Sequence, residues 1–391
     1  AESDAELAAA IQIGGMRVLG PNSLGIYTPR GRVTFTETPK IKNPQGHVGI
    51  ISQSGGFGVD LVRCGQARGL RFSSVVTIGN SIDLGSNDLL EYFLSDNLTR
   101  VIGLYLEDIK DGRRFFELLK GAAGRKPVVL LKGGRTLQGQ KAAASHTGSL
   151  AGDLRAWQAV ALQTGFLLVD TLEELIEVLL LFQTLTPNLV RPTRTLALFG
   201  NGGGASVVAT DGFTQKGFLL AEFAADTKAR LRALNLPDGT SDNNPIDLPA
   251  NAFDRTEGRV AGEILDALCE DGGIDMIVAH LNLPVILSYR GRNTVEHIVD
   301  ACIARRRSAG NDTRLVMVLR SDGNPETDAA RRLQTERAVE AGIPVFENFT
   351  MASNALSALA RFEQFHFKRK GLKPHSLPRR NGSSQARIVI K

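Results

Sequence analysis

The sequence predicts an α/β protein with two tandem, doubly wound parallel sheets, and three observations support this prediction. Short apolar runs alternate with longer amphipathic segments, which is the pattern of parallel strands joined by crossover helices. The stretch TPNLVRPTRT, rich in Pro and Thr, separates two series of such runs. A Gly-rich turn follows the first strand of each series, so the architecture repeats.

The strands of each series follow from the positions of the apolar runs. The first series predicts strands near residues 47–52, 74–78, 101–106, 127–131 and 166–169, which together make a five-stranded domain. The second predicts strands near 195–199, 218–221, 274–281, 314–319 and 344–346. We therefore expect one flavodoxin-like domain over residues 44–190 and another over 191–366, with a short segment, 1–43, before them and a tail, 367–391, after them.

Composition limits the class of protein. The chain has 391 residues, 42% of them hydrophobic, with 41 glycines and one tryptophan, as in globular α/β proteins. No apolar run approaches the roughly 18 residues that span a bilayer, and the acidic opening AESDAELAAA is not a secretory signal. The cysteines Cys64, Cys269 and Cys302 lie far apart without metal-ligand spacing. We expect a cytoplasmic protein with no membrane partner, no metal site and reduced, buried cysteines.

The net charge of +5 comes from one end of the chain. Residues 366–391 hold eight Lys and Arg and no acidic residue, which leaves 38 basic against 41 acidic residues elsewhere. A basic tail with Pro, Gly and Ser is typical of a linker or a solvated terminus, and no aromatic-rich binding motif accompanies it. We expect no nucleic-acid partner.

The two Gly-rich turns are alike in sequence. GIISQSGGFGVDLVRCGQARG and LALFGNGGGASVVATDGFTQKG both run from a strand through glycines into a helix that closes at a glycine 13 positions after Gly56 or Gly204. Such a turn lets the backbone approach a ligand, and the following helix directs free N–H groups and its positive dipole end toward it. One such turn is often only tight packing, but a matched pair favours two anion-binding helix starts.

His146 and Glu107 are the candidate catalytic residues. Glu107 ends the apolar strand VIGLYLEDI, and the loop KAAASHTGSLAGD, which carries His146, follows the strand PVVLLKG. Open α/β sheets bind ligands at the carboxyl ends of their strands, where Ser54 also lies. Taken alone, Glu107 would be interpreted as a solvated carboxylate at a strand end, and His146 as a surface loop histidine. Together, a carboxylate that binds one ring nitrogen leaves the other as a nucleophile and stabilises the cation formed when it is substituted.

The motifs ASHTGSLAGD, ISQSGGFG, YLEDIKDGRRF, GNGGGASV and NNPIDL resemble the α part of nucleoside-diphosphate-forming acyl-CoA synthetases, relatives of succinyl-CoA synthetase, in the ADP-forming acetate branch. The resemblance covers nearly the whole chain. It implies that His146 is phosphorylated from an acyl phosphate and hands the phosphoryl group to a nucleotide held on an ATP-grasp domain, with ATP/ADP and Mg as the cofactors there. It also implies that Glu107 orients the ring, and that two helix starts hold the phosphohistidine, at Ser54, Gly55 and Gly56 and at Gly202, Gly203 and Gly204.

The ends of the chain depart from the family pattern. The stretch MRVLGPNSLGIYTP resembles the end of the family's CoA-binding Rossmann domain, so residues 1–43 are expected to be a remnant of that domain. The resemblance implies CoA or substrate contacts at Asn22, Ser52 and Gln53. No ATP-grasp segment is visible, so we expect an ATP-grasp domain or β subunit as a partner in an oligomer, with CoA and a small carboxylic acid as substrates. Alone, the chain is expected to bind CoA weakly or not at all.

Two alternatives belong to other classes. The chain order Ser54, Glu107, His146 is that of α/β-hydrolases, and ISQSGGFG resembles a nucleophile elbow in which Ser52 replaces the first glycine. A serine hydrolase, however, has no need of the second Gly-rich repeat. The other alternative is a non-catalytic module that has kept the fold of a CoA ligase.

Overall fold

The chain divides into two compact units, residues 1–186 and 187–391, and each contains a mainly parallel sheet. The computed structural model of the protein describes residues 2–35, 46–122, 125–147, 153–289, 292–308 and 314–371. The predicted fold class, an α/β protein with two parallel-sheet domains, is confirmed.

The first unit alternates strands and helices. In chain order its elements are α1 (Glu2–Gly14), β1 (Ile26–Tyr27), β2 (Val48–Ser52), α2 (Gly55–Ala67), β3 (Phe72–Thr77), α3 (Ser86–Ser95), β4 (Val101–Leu106), α4 (Gly112–Ala122), β5 (Val128–Lys132), α5 (Leu137–Thr147), α6 (Leu154–Thr164), β6 (Leu167–Val169) and α7 (Leu172–Thr184).

The first sheet has the strand order β1-β3-β2-β4-β5-β6. The five predicted strands pair in parallel, and each lies within two residues of its predicted bounds at both ends. All five residues of β2 and of β5 are buried, because helices cover both faces of a doubly wound sheet. The structure adds β1, which pairs antiparallel with β3 at the edge. Two residues are too short a run to show strand periodicity, so the sequence did not predict this strand.

The segment before the first sheet packs on the loop that follows β3. The N–H of Asn80 donates to the carbonyl of Pro21 over 2.9 Å, and the Ser23 hydroxyl donates to the carbonyl of Thr77 over 2.5 Å. Gly79 has a φ of +53°, and a Cβ there would lie 2.2 Å from the carbonyl oxygen of Pro21. The chain therefore needs glycine at this close approach. The domain bounds expected from the sequence, at 43/44 and 366/367, stay predictions.

The second unit has a longer series of elements. They are β7 (Thr195–Gly200), α8 (Gly203–Gln215), β8 (Leu219–Leu220), α9 (Ala225–Ala233), β9 (Ile246–Asp247), α10 (Ala250–Arg255), α11 (Val260–Glu270), β10 (Met276–Asn282), α12 (Leu283–Ser288), α13 (Arg292–Arg307), β11 (Arg314–Arg320), α14 (Pro325–Glu340), β12 (Val345–Phe346) and α15 (Phe349–Arg369). Its sheet has the order β12-β11-β10-β7-β8, all parallel, which matches the five predicted strands.

One further strand, β9, pairs with the end of β7, beyond the point where β8 stops. Asn244 precedes β9 and bonds both flanking strands. Its side-chain oxygen accepts from the N–H of Leu198 over 2.9 Å, and its amide donates to the carbonyls of Leu196 and Ala221 over 2.7 and 3.0 Å. A side-chain amide thus bonds backbone groups in the gap between the two short strands β8 and β9.

The three cysteines are free, but they are not all buried as expected. Cys302 is buried, and burial raises the pKa of its thiol to about 12. Cys269 is half-buried, and Cys64 is exposed on α2. The expectation was therefore wrong for Cys64, because the sheet side of α2 is lined instead by glycines and aliphatic residues such as Leu61 and Val62. Among the helices that the structure describes, none combines the length and the apolar composition of a membrane span.

Candidate functional site

Glu107 lies at the carboxyl end of β4 with only 6% of its surface exposed. The hydroxyl of Tyr105 donates to one of its carboxylate oxygens, Oε1, over 3.1 Å. The other oxygen, Oε2, is buried and has no hydrogen-bond partner among the residues that the structure describes. A buried carboxylate oxygen without a donor is unfavourable, so Glu107 is arranged to accept one further hydrogen bond.

The backbone around Glu107 is held from both neighbouring strands. The side-chain oxygen of Gln53, after β2, accepts from the N–H groups of Glu107 and Asp108 over 2.7 and 3.0 Å. The Nζ of Lys132, the last residue of β5, donates to the carbonyl of Glu107 over 2.8 Å. Lys132 ends β5 and Gln53 directly follows β2, the two strands that flank β4. The sequence analysis did not single out Tyr105 or Lys132, and their positions at strand ends were the available signal.

Gly133 leaves space for this arrangement. A Cβ there would lie 2.8 Å from the Tyr105 hydroxyl oxygen and 3.0 Å from Cγ of Glu107. Burial, and then the charge of Glu107, raise the pKa of the Tyr105 phenol, so Tyr105 stays a hydrogen-bond donor at neutral pH. Phe57 stacks on the Tyr105 ring with centroids 4.1 Å apart, which fixes the direction of the hydroxyl.

Helix α2 follows β2, the strand next to β4, and so begins at the same edge of the sheet as Glu107. The Ser54 hydroxyl accepts from the N–H of Phe57 over 3.3 Å and caps the helix. A Cβ on Gly55 would lie 2.8 Å from Cγ of Leu24, whereas Gly56 has open space around it. Of the two, only Gly55 is therefore restricted by the chain's own packing, and Gly56 leaves its helix turn open to an incoming group.

Two of the predicted CoA or substrate contacts also have internal roles. The Ser52 side chain is fully buried and donates to the carbonyl of Ser54 over 2.6 Å, and Gln53 holds Glu107. Asn22 lies in the segment that packs on the loop after β3 and has a positive φ of 58°. The predicted contacts of these residues with CoA or substrate stay predictions.

His146 lies in the last turn of α5 rather than in a loop. The run KAAAS before it favours helix, because alanine has the highest helix propensity. Helix α5 follows β5 after four residues. Its first turn therefore lies near the carboxyl end of the parallel strands, the edge of the sheet where Glu107 also lies. The side chain of His146 lies outside what the structure describes, and its partnership with Glu107 stays a prediction.

Helix α8 starts at the second Gly-rich turn. Gly202 has a φ of +111°, which only glycine adopts easily, and its N–H donates to Oδ1 of Asp247 over 2.8 Å. Asp247, in the NNPIDL motif, therefore brings a carboxylate to the positive end of α8. Asn201, next to it, is buried and accepts from the N–H of Asn282 over 2.8 Å. The NNPIDL motif contributed to the family resemblance, but the sequence did not indicate a role for Asp247.

Substitution of the two glycines that begin α8 is expected to have opposite effects. Gly204→Ala meets open space and adds helix propensity, so it should stabilise the protein by up to about 1 kcal/mol. Gly203→Ala places a Cβ 3.0 Å from Oδ2 of Asp247, and displacing that carboxylate weakens its bond to Gly202, so the gain should be lost. Urea unfolding of the two variants measures the difference, and equal stabilisation by both would contradict the contact.

His280 lies on β10 beside Gly200, and the sequence analysis did not identify it. Its side chain is 4% exposed, and neither ring nitrogen has a hydrogen-bond partner within the described parts of the chain. Burial, with the nearby charge of Arg320, lowers the pKa of His280 to about 4. Its ring centroid lies 4.5 Å from that of Phe349, at the start of α15. His280 is thus a neutral core residue at physiological pH.

A polar cleft lies beside Gln53 and Asp108 in the first unit. Two of its carboxylates have structural roles, since Asp88 accepts from the N–H of Gly85 and Asp111 from that of Arg114, at the starts of α3 and α4. Across the described ranges, no group of three or more His, Cys, Asp or Glu side chains could hold a metal ion. The cleft is lined by Gln53, Ile78, Asn80, Ser81, Asp83, Gly85, Ser86, Asn87, Asp88, Asp108, Lys110, Asp111 and Arg114.

A known family profile matches part of the first unit. The profile of the "Succinyl-CoA ligase like flavodoxin domain" matches residues 45–182, which contain β2 to β6, Glu107 and His146.

Comparison with individual proteins extends the similarity to most of the chain. The sequence is 33% identical over 347 residues to the α subunit of acetate–CoA ligase [ADP-forming] II of Pyrococcus furiosus, covering 89% of this chain and 71% of that protein. It is 31% identical to acetate–CoA ligase [ADP-forming] I of Archaeoglobus fulgidus, covering 95% of this chain and half of that protein. Acetyl-coenzyme A synthetase 1 of Ca. Korarchaeum cryptofilum, solved with phosphate and ADP, superposes with a TM-score of 0.78 at 29% identity, covering 95% of this chain and 76% of that one.

Proposed function

Because the chain belongs to the ADP-forming acetate–CoA ligases, a branch of the nucleoside-diphosphate-forming acyl-CoA synthetases, we propose that His146 carries the phosphoryl group during its reaction. Enzymes of this class are acid–thiol ligases that couple a carboxylic acid, CoA and ATP to acyl-CoA, ADP and phosphate. The coupling is reversible, and in its ATP-forming direction the proposed step is attack by an imidazole nitrogen of His146 on the phosphorus of an acyl phosphate: the bond from phosphorus to the acyl oxygen breaks, and the free acid leaves. ADP then takes the phosphoryl group.

The observation that carries this proposal is the state of Glu107. One of its oxygens is bound by Tyr105, and the other is buried and lacks a donor among the described residues. A ring N–H of His146 is the donor that we propose for it. With that N–H bound, the opposite ring nitrogen has its lone pair free for attack, and the carboxylate stabilises the cationic phosphoimidazole.

The helix starts at Ser54 to Gly56 and at Gly202 to Gly204 are the proposed phosphate-binding groups. Free N–H groups in the first turn of a helix stabilise an anion by about 0.3 to 1 kcal/mol when exposed and up to about 2 when partly buried. At α8 the carboxylate of Asp247 already accepts from Gly202. In the proposed function an incoming phosphoryl group therefore uses the N–H groups after Gly202.

The remaining substrates and partners are proposed from the family. An ATP-grasp domain or β subunit would hold ATP/ADP with Mg, and the chain spans about half the length of the Archaeoglobus relative. We propose CoA and a small carboxylic acid as substrates, with CoA contacts at Asn22, Ser52 and Gln53, a remnant of the Rossmann domain in residues 1–43, an oligomeric assembly and a cytoplasmic location.

A labelling experiment tests the phosphohistidine. The complete enzyme, incubated with γ-³²P-labelled ATP and magnesium, should acquire protein-bound label that is lost in acid and kept in alkali, because a phosphoramidate bond is labile in acid. Digestion and mass spectrometry under alkaline conditions should place the phosphoryl group on the peptide that contains His146. Acid-stable label, or label on another peptide, would refute the proposal.

The serine-hydrolase alternative is not favoured. The relatives are CoA ligases, and the Ser54 backbone has φ −100° and ψ 129°, an ordinary extended conformation rather than the strained turn of a nucleophile elbow. Its hydroxyl caps α2. A fluorophosphonate probe should therefore leave Ser54 unlabelled. A non-catalytic module would, in contrast to the proposed enzyme, acquire no acid-labile label.

A further inference from the structure

Lys132 is a lysine buried in the first unit directly beneath the candidate site. It is 2% exposed, and its register partner on β4 is Leu106, the residue before Glu107. Removing an ammonium group from water is unfavourable unless hydrogen bonds and charges compensate for it. Burial lowers the pKa of Lys132, while the charges of Glu107 and Asp108 act in the opposite direction. A lysine in such surroundings needs specific partners.

The ammonium group contacts Glu107 and two residues near it. Nζ donates to the carbonyl of Glu107 over 2.8 Å and also to the carbonyl of Gly133. It lies 5.6 Å from the ring centroid of Trp157, within the range of a cation–π contact. Trp157 is on α6, the helix that follows the segment containing His146. Lys132 therefore links the backbone of Glu107 to the helix after the histidine.

We propose that Lys132 is a positioning residue, which fixes the Glu107 carboxylate for the histidine through its bond to the Glu107 carbonyl. This role rests on the proposed function. Glu107 is the first residue after β4, and the register between β4 and β5 ends at Leu106. The hydrogen bonds of the sheet therefore do not hold the Glu107 carbonyl. The bond from Lys132 supplies the missing restraint on one side, and Gln53 supplies it on the other through the N–H.

The chain contains a matched control for this lysine at the opposite end of the same strand. Lys126 is half-buried just before β5, and its Nζ donates to the carbonyls of Phe93 and Asp96 over 2.8 and 2.6 Å. Burial lowers the pKa of this lysine too. Both lysines thus bind two backbone carbonyls, but only Lys132 binds that of Glu107. A purely structural role predicts that loss of either lysine affects labelling only through stability, whereas the positioning role predicts a direct effect on labelling for Lys132 alone.

The test is a double-mutant cycle on the complete enzyme, with the rate of label incorporation into His146 as the readout. Lys132→Met keeps the length and apolar volume of the side chain and removes the ammonium group. It should slow labelling about tenfold, within the coupling range of contacting residues. In the Glu107→Gln background the same substitution should slow labelling less than twofold, because the group that Lys132 positions is already lost.

Lys126→Met should leave the labelling rate within about twofold of the wild type and should add independently to Glu107→Gln. Emission of Trp157, the single tryptophan, should change in Lys132→Met and stay unchanged in Lys126→Met. If Lys132→Met does not fold, Lys132→Leu, which also lacks a donor, replaces it in the cycle. Failure of both to fold would make the role structural and overturn the proposal.

The outcomes separate the two hypotheses. If the wild type acquires no label on His146, or if Glu107→Gln labels at the wild-type rate, the proposed function is wrong whatever Lys132 does. If wild type and Glu107→Gln behave as proposed but Lys132→Met slows labelling by the same factor in both backgrounds, only the positioning role is wrong.

Discussion

Replacement of His146 by alanine in the complete enzyme is expected to abolish both protein-bound phosphate and acyl-CoA formation. The proposed reaction has a covalent intermediate on this ring, and alanine offers no nucleophile in its place. Glu107→Gln is expected to be milder. Glutamine can still accept a hydrogen bond, but it does not stabilise the cationic ring, so the labelling rate should fall by a factor of about 10² to 10⁴. Labelling kinetics and an acyl-CoA assay measure both variants.

An exposed histidine provides the control for this substitution. His297 lies on α13 in the second unit, where its Nδ1 is paired with the carbonyl of Glu257 over 2.6 Å. His297→Ala should leave labelling and acyl-CoA formation at the wild-type level. Full synthetase activity in His146→Ala would contradict the phosphohistidine proposal. Loss of activity with the acid-labile label retained would mean that another residue is phosphorylated.

Replacement of Glu363 by alanine is expected to destabilise the second unit by about 3 to 5 kcal/mol, as removal of one partner of a buried ion pair does. Glu363 on α15 is fully buried. Its carboxylate accepts from the N–H groups of Asn188 and Thr193, both over 2.7 Å, and pairs with the guanidinium of Arg314. Alanine would leave the guanidinium of Arg314, whose side chain is 13% exposed, without its carboxylate.

The control for Glu363 is an exposed pair in the same unit. Glu270 and Arg230 form an ion pair with 68% and 44% of their side chains exposed, so Glu270→Ala should cost at most about 1 kcal/mol. Denaturant unfolding of both variants measures the difference. A loss below about 1 kcal/mol in Glu363→Ala would mean that the carboxylate is not the anchor of this unit.

The sequence by itself determined the elements that depend on local pattern. The run VIGLYL was predicted as a strand over 101–106, and the structure places β4 at Val101–Leu106. Both Gly-rich turns were predicted to begin helices, and they begin α2 and α8. These features follow from hydrophobic periodicity and from glycine positions, which a window of ten to twenty residues contains. The strands β1 and β9 were missed because two residues carry no periodicity.

Only the tertiary structure decided how the candidate site is held. Lys132 lies 25 positions from the carbonyl of Glu107, Asp247 lies 45 from Gly202, and Glu363 lies 170 from Thr193. No local pattern predicts such pairs, because the order of strands in the sheet decides which distant residues meet. Glu107 and Gly202 could be identified from their positions at a strand end and in a turn. Their partners depend on side chains that reach across from neighbouring elements, where desolvation and hydrogen-bond geometry select the contact.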